Sequence, residues 1–116
     1  MVRCTTAHVD LGALTANFTA ISSYLHHEST LNREAGRGPA RAPAIIAVVK
    51  ANAYGHGAVR VARALEASGA TMLAVADIEE GVALRDGGVG LPVLVFGALS
   101  VSDIRSVRSE EHTSEL

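Results

Sequence analysis

Aromatic residues are scarce in this 116-residue chain: two Tyr, two Phe and no Trp. A core here has to be assembled from Ala, Val, Leu and Ile, which is usual where helices pack on a parallel sheet. Cysteine is nearly absent as well. The single Cys4 excludes an internal disulfide framework and suits a reducing compartment. No apolar run approaches the roughly 20 residues that a membrane span requires, and the N-terminus lacks the basic-then-apolar pattern of a secretion signal. An excess of one charge is also missing. Ten basic against twelve acidic side chains leave a formal net charge of -2, which calls for neither nucleic acid nor an anionic membrane as partner. Together these absences predict a soluble, cytoplasmic protein. What is present is 48% apolar sequence, enough for one small domain with a modest core.

The apolar pattern begins near Asp10. Leu11, Leu14, Phe18, Ile21 and Leu25 recur at spacings of three and four, which predicts one face of a helix with Asp10 capping its first turn. From His26 to Pro43 the pattern stops, and Gly36, Gly38, Pro39 and Pro43 predict an exposed connection. Residues 44–49 are continuously apolar, as in a strand buried on both faces. A helix carrying Ala58, Val61, Ala62 and Leu65 follows, with Gly69 just past its end. Residues 72–76 read as a second strand. Asp77 and Glu80 make a capping-box pattern for another helix ending near Gly87 and Gly88. Residues 92–96 read as a third strand, and Ser100 with Asp103 could open one more helix. Strands alternating with helices predict parallel βαβ units in an α/β fold. Three strands do not close a barrel, which typically takes about 250 residues for eight.

Residues 108–116, Arg-Ser-Glu-Glu-His-Thr-Ser-Glu-Leu, show neither helical nor strand periodicity. The string resembles the conceptual translation of a common short-read sequencing adapter. The expected division is therefore a domain fragment over 1–107 and a non-native tail over 108–116. Without Arg108 and the three tail glutamates, basic and acidic side chains balance at nine each.

The chemistry-bearing run is Val48-Val49-Lys50-Ala51-Asn52-Ala53-Tyr54-Gly55-His56-Gly57. It places a lysine at the end of an apolar strand, ahead of a turn of small residues. Partial desolvation there favours the neutral, nucleophilic amine that condensation with an aldehyde requires. The Tyr54 hydroxyl could donate to an anion, and Gly55 and Gly57 would let backbone approach a ligand closely. Each residue also has a plainer reading. A strand-end lysine is usually a solvated cap, a loop tyrosine usually packs, and His56 suits a turn better than a base. His26 and His27 lack the further ligands a metal site needs, so no metal is expected. Asp77, Glu79 and Glu80 are explained by helix capping and the helix dipole.

Residues 47–57 as a whole resemble the pyridoxal-phosphate (PLP) attachment signature of alanine racemases, without a gap. The resemblance continues in His8-Val9-Asp10-Leu11-Gly12-Ala13-Leu14, in Ala74-Val75-Ala76, in Glu79-Glu80-Gly81 with Leu84-Arg85, and in Pro92-Val93-Leu94-Val95-Phe96-Gly97. It covers most of residues 8–99. The connection at 26–43 looks longer than the family usually shows.

The resemblance implies the N-terminal part of a (β/α)8 TIM-type barrel, incomplete at about three strands, whose whole form continues into a β-rich domain. It implies a homodimeric, PLP-dependent isomerase that interconverts L- and D-alanine and so supplies D-alanine for peptidoglycan. By the same resemblance, Lys50 would hold PLP covalently and act as one of two catalytic bases, removing the α-proton of the D-enantiomer. Tyr54 would hydrogen-bond the cofactor phosphate, and Val48 and Phe96 would form apolar wall beside it. The family more often has an aliphatic residue where Phe96 stands. The second base and the remaining cofactor contacts lie beyond residue 107 in the family, so the chain alone is expected to be inactive. The competing readings are a PLP-carrier protein of the same barrel, a barrel decarboxylase sharing the Lys-Ala-Asn core, and a small α/β module without cofactor. Residues 51–57 favour the racemase. Three strands at 44–49, 72–76 and 92–96 should lie parallel and adjacent in that order. Ile45, Val49, Val75 and Leu94 are expected to be partly uncovered, which would leave the isolated chain loosely folded and prone to aggregate.

Overall fold

In a computed structural model the described residues are 3–38 and 41–97. The adapter-like tail and the helix expected from Ser100 lie outside them. The element order is α1 (Leu11–Glu34), β1 (Ile46–Val48), α2 (Lys50–Tyr54), α3 (Ala58–Ala67), β2 (Met72–Val75), α4 (Ile78–Asp86) and β3 (Val93–Val95). The three strands form one parallel sheet in the order β1-β2-β3, as expected. Ile46 pairs with Met72 and Val48 with Ala74, while Leu73 pairs with Val93 and Val75 with Val95.

Side chains alternate across a strand, and this sheet uses the alternation one-sidedly. Val49, Leu73, Val75, Val93 and Val95 point to the face covered by helices, where they join Val61, Ala62, Leu65, Ile78 and Leu84 in one buried cluster. Ile46, Val48 and Phe96 fall on the other face and are exposed. The expectation that Val49 and Val75 would be uncovered is therefore corrected: both are buried beneath helices, while Ile45 and Leu94 are half-buried. The strands are also shorter than the apolar runs. β2 offers no partner before Met72, so Ala44 and Ile45 stay unpaired in the ladder. At the other end, Phe96 N–H still reaches Val75 O at 3.0 Å, one residue past β3.

The connection expected from His26 onward is another correction, because α1 continues to Glu34. Apolar periodicity marks only the part of a helix that packs. A solvated helix can run on until a breaker intervenes, and here the break comes at Gly36, with φ +74°. The Thr30 hydroxyl donates to His26 O at 3.0 Å within the polar extension. The Asp10 cap is present, accepting from Ala13 N–H at 2.9 Å. Of the expected apolar face, Leu11, Leu14 and Phe18 pack against the core, Leu25 is half-buried and Ile21 is exposed. No residue of α1 is fully buried, and a cavity of about 530 Å³ separates its N-terminal half from β1 and α3.

The second βαβ unit is tighter. A Cβ at Gly87 would stand 2.5 Å from Val59 Cγ1, so the end of α4 meets α3 at a distance only glycine allows. Arg85 Nη1 then donates to Val89 O and Leu91 O, at 2.9 and 2.7 Å, and pins the loop into β3.

Candidate active site

The strand carrying Lys50 ends under control of its neighbour. Val49 N–H donates to Ala74 O at 2.9 Å, which holds the residue before Lys50 in register with β2. Lys50 itself is half-buried. Directly after it the backbone changes hand. Ala51, Asn52, Ala53 and Tyr54 have φ of 52°, 55°, 54° and 55°. Four consecutive L-residues in the left-handed region cost roughly 1–2 kcal/mol each. Such strain persists only where the surroundings over-determine it, and it concentrates at functional sites.

The surroundings here are specific. Ala53 is buried in the core, and its N–H donates to Val49 O at 2.9 Å. Gly55 N–H donates to the carbonyls of Ala51 and Asn52, both at 3.1 Å, and Gly57 N–H to Asn52 O at 2.9 Å. The Asn52 side chain accepts from Ala58 N–H at 2.8 Å and so serves α3, whose own N-cap Gly57 has no side chain to offer. His56 Nδ1 lies 2.9 Å from Ala53 O, an oxygen that already accepts from His56 N–H. His56 is thus a turn residue, in keeping with its plainer reading.

One contact beside Lys50 escaped its sequence signal. Glu80 completes the expected capping box of α4, with Oε1 accepting from Ala76 N–H at 2.8 Å and Asp77 N–H at 3.3 Å. Its second oxygen, Oε2, accepts from Ala51 N–H at 2.7 Å across the gap to β1. A capping-box pattern is local, so nothing in it could indicate a contact 29 residues away.

Of the residues singled out from sequence, Val48, Lys50 and Tyr54 fall on one strand-turn unit. Tyr54 is 60% exposed. Val48 stands on the uncovered face of the sheet. Phe96 stands on the same face at the same C-terminal edge, but on β3, with β2 between. Cys4 is exposed. Among the described residues no three His, Cys, Asp or Glu side chains cluster as metal ligands, and no helix is long and apolar enough to cross a membrane.

Among the described residues, parallel strands in sequence order, buried side chains turned toward the helices, and a lysine where the first strand ends mark the beginning of a β/α barrel. Active sites of such barrels lie at the C-terminal ends of the strands. The sequence profile described as "Alanine racemase, N-terminal domain" matches residues 9–114. The chain belongs to the alanine racemase N-terminal domain family. It is 42% identical over 109 residues to the alanine racemase of Symbiobacterium thermophilum, covering 94% of this chain and 25% of that protein. A shorter stretch of 59 residues is 56% identical to the alanine racemase of Geobacillus stearothermophilus, covering 51% of this chain and 15% of that protein. Among solved structures, the Clostridium difficile alanine racemase in complex with cycloserine superimposes with a TM-score of 0.57 at 41% identity, over 59% of this chain and 18% of that one. The chain thus spans a quarter or less of the length of these relatives.

Proposed function

We propose that the full-length protein carrying this segment is a PLP-dependent alanine racemase. In this reading it is a cytoplasmic homodimer that interconverts L- and D-alanine and supplies D-alanine for peptidoglycan. The observation that carries the reading is Lys50, set at the open end of β1 by a strained turn inside the 47–57 signature. The residues present fit the cofactor. An amine suited to an aldehyde, a solvent-facing phenol four residues on, and apolar surface at Val48 and Phe96 share one edge of the sheet.

PLP when bound supplies an electron sink that makes the α-proton of an amino acid removable. Lys50 would hold the cofactor through its amine, and that amine would accept or return the substrate's α-proton on its own face. Inversion requires an acid–base group on each face, and the partner base belongs to the remainder of the protein. Tyr54 would donate its hydroxyl to the cofactor phosphate, and Val48 and Phe96 would exclude water beside it.

Borohydride reduction of the PLP-loaded full-length protein should fix the cofactor covalently, and peptide mapping should find it on Lys50. Lys50→Ala should abolish both the labelling and racemisation. Label on a different lysine would refute the assignment.

A further inference from the structure

Glu80 does more than a helix cap requires. In a capping box the N3 carboxylate serves the N-cap backbone, and Oε1 alone meets that need here through Ala76 and Asp77. Oε2 is left to bind Ala51 N–H at 2.7 Å. One carboxylate therefore ties the C-terminal ends of two adjacent strands together. Ala51 directly follows Lys50 and is the first residue of the left-handed run, with φ 52°. Its N–H belongs to the same peptide plane as the Lys50 carbonyl, so holding that N–H restrains the backbone from which the Lys50 side chain leaves. An N–H at the start of a helical turn has no partner within the turn, and a carboxylate is the strong acceptor for it.

We propose that Glu80 is a positioning residue for Lys50: its Oε2 clamps the Ala51 amide and holds the amine of Lys50 in the orientation needed to condense with the cofactor aldehyde. The proposal rests on the reading of Lys50 as the cofactor lysine. Asp77 supplies the contrast. It caps the same helix, accepting from Glu80 N–H at 2.9 Å, and makes no bond to the β1 turn. Glutamine at position 80 keeps one accepting oxygen, so it can satisfy either α4 or Ala51 but not both.

The test uses the cofactor-free full-length protein and two readouts. The first is backbone hydrogen exchange over residues 50–55. The second is the rate at which added PLP becomes borohydride-trapped on Lys50, where amine and aldehyde join with loss of water and hydride then reduces the C=N bond. Glu80→Ala should raise the exchange and slow the trapping by about tenfold or more, the loss of one charge-assisted hydrogen bond. Glu80→Gln should fall between that and wild type. Asp77→Ala should leave both readouts within about twofold while lowering the melting temperature through the lost cap. Equal effects from Asp77→Ala and Glu80→Ala would overturn the proposal, because the role would then be capping alone. Should Glu80→Ala not fold, Glu80→Gln decides, and wild-type exchange and trapping in that variant would overturn it. Wild-type protein that never traps PLP on Lys50 would refute the cofactor reading instead. The exchange arm would still show whether Glu80 holds the turn.

Discussion

Two turns stand side by side at the C-terminal edge of the sheet, and they are built in opposite ways. After β2 the chain enters α4 through an extended Asp77 and a reciprocal capping box, with every backbone torsion in an ordinary region. After β1 it passes through four left-handed L-residues before α3 can start, and its hydrogen bonds come from the turn itself, from Asn52 and from the neighbouring Glu80. The relaxed turn starts a helix and carries none of the residues singled out for the cofactor. The strained one carries Lys50 and Tyr54. The difference teaches that the second turn lends the first its rigidity: the carboxylate that finishes an inexpensive cap also holds a costly one.

The largest effect that would sharpen this contrast lies in the strained turn. Tyr54→Phe in the full-length protein should weaken PLP retention by about 1.5–3 kcal/mol, the worth of one hydrogen bond to a charged group. Equilibrium dialysis of the cofactor checks it. Because Tyr54 is mostly exposed, the fold should not change, and unchanged retention would remove Tyr54 from the site. In the relaxed turn, Asp77→Ala should cost about 1 kcal/mol of stability with no change in PLP retention. Denaturant midpoints measure the first part. A matching loss of cofactor would mean that the two turns are not separable.

The smallest and most pointed comparison uses glycine. Ala83 lies exposed within α4, and Ala83→Gly should destabilise by about 1 kcal/mol. Ala51→Gly relieves a left-handed alanine, so the penalty reverses: the change should be neutral or stabilising by up to about 1 kcal/mol. A loss at Ala51 equal to that at Ala83 would show that the left-handed run is not strained. The same denaturation series reports both variants.

Much of this arrangement was legible beforehand, and the particular elements show why. Helix starts were readable because caps are local. Asp10 and Asp77 each bond an N–H three residues on. The three strands were readable because β-branched apolar runs between glycines leave few alternatives, and short βαβ connections make neighbours parallel. The candidate lysine stood out through the signature around it. The polar half of α1 was not, because a solvated helix carries no apolar stripe. Nor was the side on which Val49 and Val75 would be buried, since a continuously apolar strand does not say which face receives the helices.

The residues in order thus settle the α/β alternation, the caps and the strand end where an amine would stand, because each depends on neighbours a few positions apart. Folding in three dimensions decided the rest. Among the described residues it packed the helices against Val49, Val75 and Val93, leaving Val48 and Phe96 exposed. It set the change of hand after Lys50, and it joined Glu80 to Ala51. Those features depend on which distant backbone groups are left without partners and what comes near enough to satisfy them, and that is known only once the strands have paired.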